Sequence, residues 1–88
     1  MTAPVITLYA AGWCGYCQRA KALLTAKNLA FTEIDVDDDA KFRAEMVARS
    51  GRRSVPQIFI GDKHIGGCDD LLELERSGEL DRLIQGAA

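Results

Sequence analysis

The chain is 88 residues long and carries a formal net charge of −2, with 48% hydrophobic and 27% charged residues. That length suits one small domain spanning residues 1–88 with a modest core, and that composition excludes disorder along the whole chain. The near balance of charge excludes bulk attraction to nucleic acid or to a membrane surface, and no apolar run nears the ~18 residues of a membrane span.

The opening Met-Thr-Ala-Pro runs straight into a strand-like stretch without a basic region or apolar core, so no export signal is expected. Three cysteines are an odd number, and without a signal they point to cycling thiols in a reducing, cytoplasmic setting. Val5-Ile6-Thr7-Leu8-Tyr9 is β-branched, aromatic and mostly apolar, which predicts a buried strand. Ala10 to Trp13 form a small-residue turn. From Gly15 to about Lys27 the spacing of Ala20, Leu23 and Leu24 is helical, and Asn28 suits a left-handed stop. Cys14 therefore falls where strand passes to helix, at a terminus whose free N–H groups and positive dipole favour a thiolate. Cys17 lies one turn deeper on the same face, within reach of a disulfide. The first cysteine is placed to attack and the second to resolve.

Such a pair is also half of many zinc sites, and His64-x-x-x-Cys68 offers two further ligands. Yet 46 residues separate Cys17 from His64, against the ~12–20 between the halves of a compact finger. The strand-to-helix setting favours a thioredoxin-like redox motif instead.

Ala30 to Asp35 reads as a second strand, parallel to the first because a full helix separates them. Of Asp37-Asp38-Asp39, one is expected to cap the next helix and the others to favour its positive end, in preference to a metal site. That helix, Ala40 to Ser50, buries Phe42, Met46 and Val47 while Lys41, Arg43 and Arg49 face water, and Gly51 ends it. Gln57 to Ile60 is a third strand and His64-Ile65-Gly66 a fourth, antiparallel across Gly61-Asp62-Lys63. A helix from about Asp69 to Arg76 packs through Leu71, Leu72 and Leu74, and Ser77-Gly78 breaks it. A last helix turns Leu80, Leu83 and Ile84 inward before a fraying Gly86-Ala87-Ala88 tail. The sum is an α/β fold, βαβαββαα, with a four-stranded mixed sheet and helices on both faces. Pro56 belongs at the entrance to the third strand, and general frequencies favour a trans bond there.

The motifs Trp13-Cys14-Gly15-Tyr16-Cys17, Ser54-Val55-Pro56-Gln57-Ile58-Phe59-Ile60 and Gly66-Gly67-Cys68-Asp69-Asp70, in that order and spacing, resemble a glutaredoxin of the small dithiol bacterial type. The likeness covers essentially the whole chain and implies a thioredoxin-like fold with a cis Pro56 against the active-site sulfurs. It implies glutathione as co-substrate and glutathionylated or disulfide-containing proteins as partners. Cys14 would attack the glutathionyl sulfur of a mixed disulfide, a second glutathione would release it, and Cys17 would resolve intermediates with protein disulfides.

The resemblance also assigns the binding groups. The Val55 backbone would pair with the glutathione cysteine, and the Cys68 and Asp69 amides would cradle the γ-glutamyl carboxylate. The Asp69 carboxylate would accept from the ligand ammonium, Arg43 would meet the glycyl carboxylate, and Tyr16 would flank the mixed disulfide. Trp13 would be a partly exposed flanking ring. Two departures stand out: Gly15 replaces a common proline, and Ala11 replaces a lysine that would lower the thiol pKa and hold the glycyl carboxylate. The second departure shifts that electrostatic role to the helix terminus and Arg43, with Arg52 and Arg53 beside it. Members able to hold a [2Fe–2S] cluster often lack that proline, so the alternative is a cluster-bridged homodimer ligated by Cys14 of each chain and two glutathione sulfurs. Otherwise the chain is expected to be a monomer.

Overall fold

A computed structural model describes residues 4–86. The elements are β1 (Ile6–Ala10), α1 (Gly15–Ala26), β2 (Thr32–Asp35), α2 (Ala40–Ser50), β3 (Gln57–Ile60), β4 (Lys63–Gly66), α3 (Cys68–Ser77) and α4 (Glu79–Gly86). The reading of residues 1–3 lies outside the described residues, as does that of Ala87 and Ala88 in the expected Gly86-Ala87-Ala88 tail, whose Gly86 is the last residue of α4.

The sheet order is β2-β1-β3-β4. β1 runs parallel to β2 and antiparallel to β3, which in turn pairs antiparallel with β4 across an irregularity at Ile58/Phe59. Strand alternation sorts the side chains of β1 and β3 between two layers. Tyr9 and Phe59 meet edge-on at 5.9 Å, and the Tyr9 hydroxyl reaches Glu45 of α2. Leu8 and Ile58, which point the other way, are wholly buried with Leu24 of α1 and Leu71 of α3. Every residue of β3 is buried, as a strand covered on both faces requires. Each wholly buried aliphatic side chain of this kind contributes about 1.5–3 kcal/mol.

The expected punctuation of the chain is present. Asn28 is left-handed at φ 58° after α1, and Gly51 and Gly78 take φ 72° and 82° at the ends of α2 and α3. Asp39 caps α2 by accepting the Lys41 N–H at 2.9 Å.

Tertiary contacts change several details. β2 starts at Thr32 rather than Ala30, because only there does pairing with Thr7 begin. Met46 is fully buried, but Phe42 and Val47 stay half-buried. Arg49 does not simply face water: its guanidinium lies 4.1 Å above the Phe59 ring and donates to the Tyr9 hydroxyl at 2.9 Å. Among the described residues no helix is long and apolar enough to cross a membrane.

Candidate active site

The site forms where the C-terminal end of β1 meets the N-termini of α1 and α3. The Cys14 N–H donates to Ala11 O at 3.2 Å, closing the turn, and Cys14 itself is the N-cap of α1 in extended geometry. Its Sγ takes the place of the usual cap oxygen and accepts the Cys17 N–H at 3.2 Å. The sulfur also lies 3.7 Å from Val55 O. Cys17 is wholly buried behind it. Burial, and then its bonding to Cys14, pushes the Cys17 thiol up to about 12. Cys14, Cys17 and Cys68 are all free thiols.

The second wall is the segment before Pro56, whose peptide bond with Val55 is cis. The third is the turn into α3. Gly66 has φ 118°, and a Cβ there would run into the Asp70 carboxylate. A Cβ on Gly67 would lie 3.4 Å from Pro56 O, so this turn lies close against the proline loop. The Asp70 carboxylate folds back to accept the Gly67 N–H at 2.9 Å, leaving the next amides of the helix terminus open to an anion. Cys68, the first residue of α3, is buried, and that burial raises its thiol pKa.

Between these walls runs an open groove of about 200 Å³, lined among others by Tyr16, Arg52, Val55, Pro56, Cys68 and Asp69. Five of the predicted site residues thus share one groove; Cys14 and Cys17 are buried beside it rather than in its lining, with Cys14 Sγ 3.7 Å from Val55 O on the groove wall. Arg43 is not among its lining residues. Its guanidinium sits 3.1 Å from Asp37 Oδ1 and 3.3 Å from Arg53 O. A larger hollow of about 500 Å³ at the other end of β1, between Val5, Phe31 and Ile84, has no titratable side chain in its lining. A third hollow of about 660 Å³, against α2, is lined by Asp37, Arg43 and Arg53 and holds no cysteine.

Three features escaped sequence reading. Trp13, 71% exposed, donates its indole N–H to Asp37 Oδ2 at 2.7 Å. That bond, and then Arg43, holds the Asp37 carboxyl below its usual range, so Asp37 joins two side chains rather than serving the α2 terminus. Arg52 pairs with Asp70 at 3.5 Å on the groove rim, an exposed contact worth well under ~1 kcal/mol. Gln57 is a polar side chain 1% exposed at the start of β3. A glutamine heading an otherwise apolar strand was the one available signal of these three.

The glutaredoxin family profile matches residues 6–65. Glutaredoxin 3 of Escherichia coli K12 is 51% identical over 80 residues, covering 91% of this chain and 96% of its own. The solution structure of a Brucella melitensis glutaredoxin superposes with a TM-score of 0.86 at 48% identity, covering 100% of this chain and 96% of that one. A buckwheat glutaredoxin–glutathione complex gives a TM-score of 0.85 at 33% identity, covering 96% and 78%. This chain belongs to the glutaredoxin family. Its fold is thioredoxin-like, and its class of activity is that of the family's thiol oxidoreductases.

Proposed function

We propose that this chain reduces protein–glutathione mixed disulfides and protein disulfides at the expense of glutathione, with Cys14 as nucleophile and Cys17 as resolving thiol. The observation that carries the reading is the Cys17 N–H directed at Cys14 Sγ, which lies 3.7 Å from Val55 O on the wall of a groove that the first residues of α3 also line. A sulfur that receives an N–H is served both when it attacks and when it leaves as an anion. Cys14 Sγ attacks the glutathionyl sulfur; the S–Cys14 bond forms as the protein thiolate departs. Glutathione thiolate then attacks that sulfur, releasing glutathione disulfide and restoring Cys14. With a protein disulfide, the Cys17 thiol gives up its proton and displaces the protein, leaving a Cys14–Cys17 disulfide for two glutathiones to reduce. Because Cys17 is held protonated, this resolving step should quicken about tenfold per pH unit near neutrality, in proportion to its thiolate.

In this reading the Val55 backbone pairs with the glutathione cysteine beside Pro56, and the Cys68 and Asp69 amides take the γ-glutamyl carboxylate. Asp69 accepts from the ammonium and Tyr16 flanks the mixed disulfide. Arg43 meets the glycyl carboxylate by sharing its guanidinium with Asp37. The glutathione carried by the buckwheat relative supports this choice of co-substrate. In the test, Cys17→Ser keeps turnover of a glutathionylated peptide while Cys14→Ser loses it. Turnover that survives in Cys14→Ser refutes the assignment.

A cluster-bridged dimer is the second reading, and one observation favours it. Gly15, beside Cys14, is exposed, and a Cβ there would meet nothing within 4 Å, which leaves room for a second copy. One chain alone does not fit a [2Fe–2S] cluster: among the described residues no group of three or more His, Cys, Asp or Glu could hold a metal ion. The reading needs a partner's thiolate and two glutathione sulfurs, and no step is derived through the cluster. A protein that stays colourless after anaerobic incubation with iron, sulfide and glutathione removes it.

A further inference from the structure

The residues ahead of Pro56 lie outside any strand, and the carbonyls of Arg52, Arg53, Ser54 and Val55 each face a side chain. Arg53 O accepts from Arg43 Nη1 at 3.3 Å and Ser54 O from Gln57 Nε2 at 3.0 Å, while Ser50 Oγ, which donates to Met46 O at 2.7 Å, lies 3.2 Å from Arg52 O. Val55 O faces Cys14 Sγ at 3.7 Å. The segment is thus gripped from the protein side, while the Val55 N–H donates to no group among the described residues.

Gln57 is the buried member of this grip. Its Nε2 donates to both Ser54 O and, at 3.3 Å, Ser54 Oγ, which turns its Oε1 toward His64 Nε2 at 2.7 Å. That orientation requires His64 to carry its proton on Nε2. His64 is fixed in turn by the Phe59 ring, 4.9 Å away. An apolar side chain would fill the head of β3 without desolvating an amide. What the glutamine adds is its hold on Ser54.

We infer that the Gln57–His64 pair is a positioning element for substrate: it fixes the Ser54–Val55 peptide so that the Val55 N–H meets the backbone of the incoming glutathionyl group. This rests on the glutathione reading proposed above. His64 orients the glutamine amide, the amide holds Ser54, and Ser54 sets the next peptide plane.

Gln57→Leu keeps the volume without the amide, and His64→Phe keeps the stacked ring without the donor. With a glutathionylated peptide and the full chain, Gln57→Leu should raise KM about tenfold and His64→Phe about threefold, with kcat within about twofold of wild type in both. Amide hydrogen exchange at residues 53–55 should quicken by about tenfold while that of α1 holds steady. Alkylation of Cys14 by iodoacetamide should keep its wild-type rate, which separates lost positioning from a damaged thiol site. Should Gln57→Leu not fold, His64→Phe and the imidazole nitrogen shifts of the wild-type chain still decide. An unchanged KM in the folded variants, or an Nδ1–H tautomer at His64, overturns the inference. Wild-type protein without glutathione-dependent turnover defeats the functional reading instead, and the exchange and tautomer measurements then decide the structural half alone.

Discussion

On one flank of Cys14 the walls are largely main chain: the cis loop at Val55-Pro56 and the Gly66-Gly67 turn that presents the first amides of α3. On the other flank the contacts are side chains, with Trp13 and Arg43 held by the two oxygens of Asp37. The first flank depends on backbone geometry and small residues, so few substitutions at its turn leave it intact. The second is exposed and joined by single hydrogen bonds, so substitution should tune it without removing it. The two flanks of one thiol thus divide between a wall fixed by main chain and one adjustable through side chains.

The comparison breaks most visibly at Gly66. A side chain there is strained at φ 118° and also meets the Asp70 carboxylate. Gly66→Ala should cost about 1–3 kcal/mol of stability from backbone strain alone, and it should raise KM for glutathionylated peptide by at least about tenfold by shifting the α3 amides. Chemical denaturation and steady-state kinetics measure the two effects; a neutral Gly66→Ala would mean that the turn does not set the groove.

Asp69→Ala should have a middle-sized effect. It removes the carboxylate proposed to meet the ligand ammonium but leaves the amides, so KM should rise about three- to tenfold with kcat little changed. Equal effects of Asp69→Ala and Gly66→Ala would erase the distinction between a side-chain contribution and a backbone one.

Asp37→Ala should have a smaller effect, about two- to threefold in KM and weaker at high salt, because the contact it breaks is exposed and screened. Its clearer readout is optical. Trp13 is the chain's single tryptophan, so its emission reports the bond to Asp37. The Asp37 pKa is lowered, first by Trp13 and then by Arg43, so the contact is present above the ordinary aspartate pKa and is lost as pH falls through the depressed folded value. Trp13 emission should therefore change on acidification with a midpoint below the usual carboxylate range, and the transition should vanish in Asp37→Ala. A midpoint at or above an ordinary aspartate value would show that this flank is not held as described.

Much of the active end was legible in the chain itself. The strand-to-helix passage at Cys14, the Asp39 cap, the left-handed Asn28 and the glycine stops depend on residues within a turn of one another, and local sterics and hydrogen bonding decide them. The three motifs placed Tyr16, Val55, Pro56, Cys68 and Asp69, which line one groove. Local pattern could not say that Asp37 would turn to Trp13, 24 residues away, or that Arg43 would reach Arg53 O rather than the groove lining. Nor could it say that Gln57 would spend its amide on Ser54 and His64. Those partners are chosen by which surfaces β1, α2 and β3 bring together. An exposed or buried polar group bonds to whatever the packed fold leaves within about 3 Å of it, and that proximity is a property of the tertiary structure rather than of the sequence spacing.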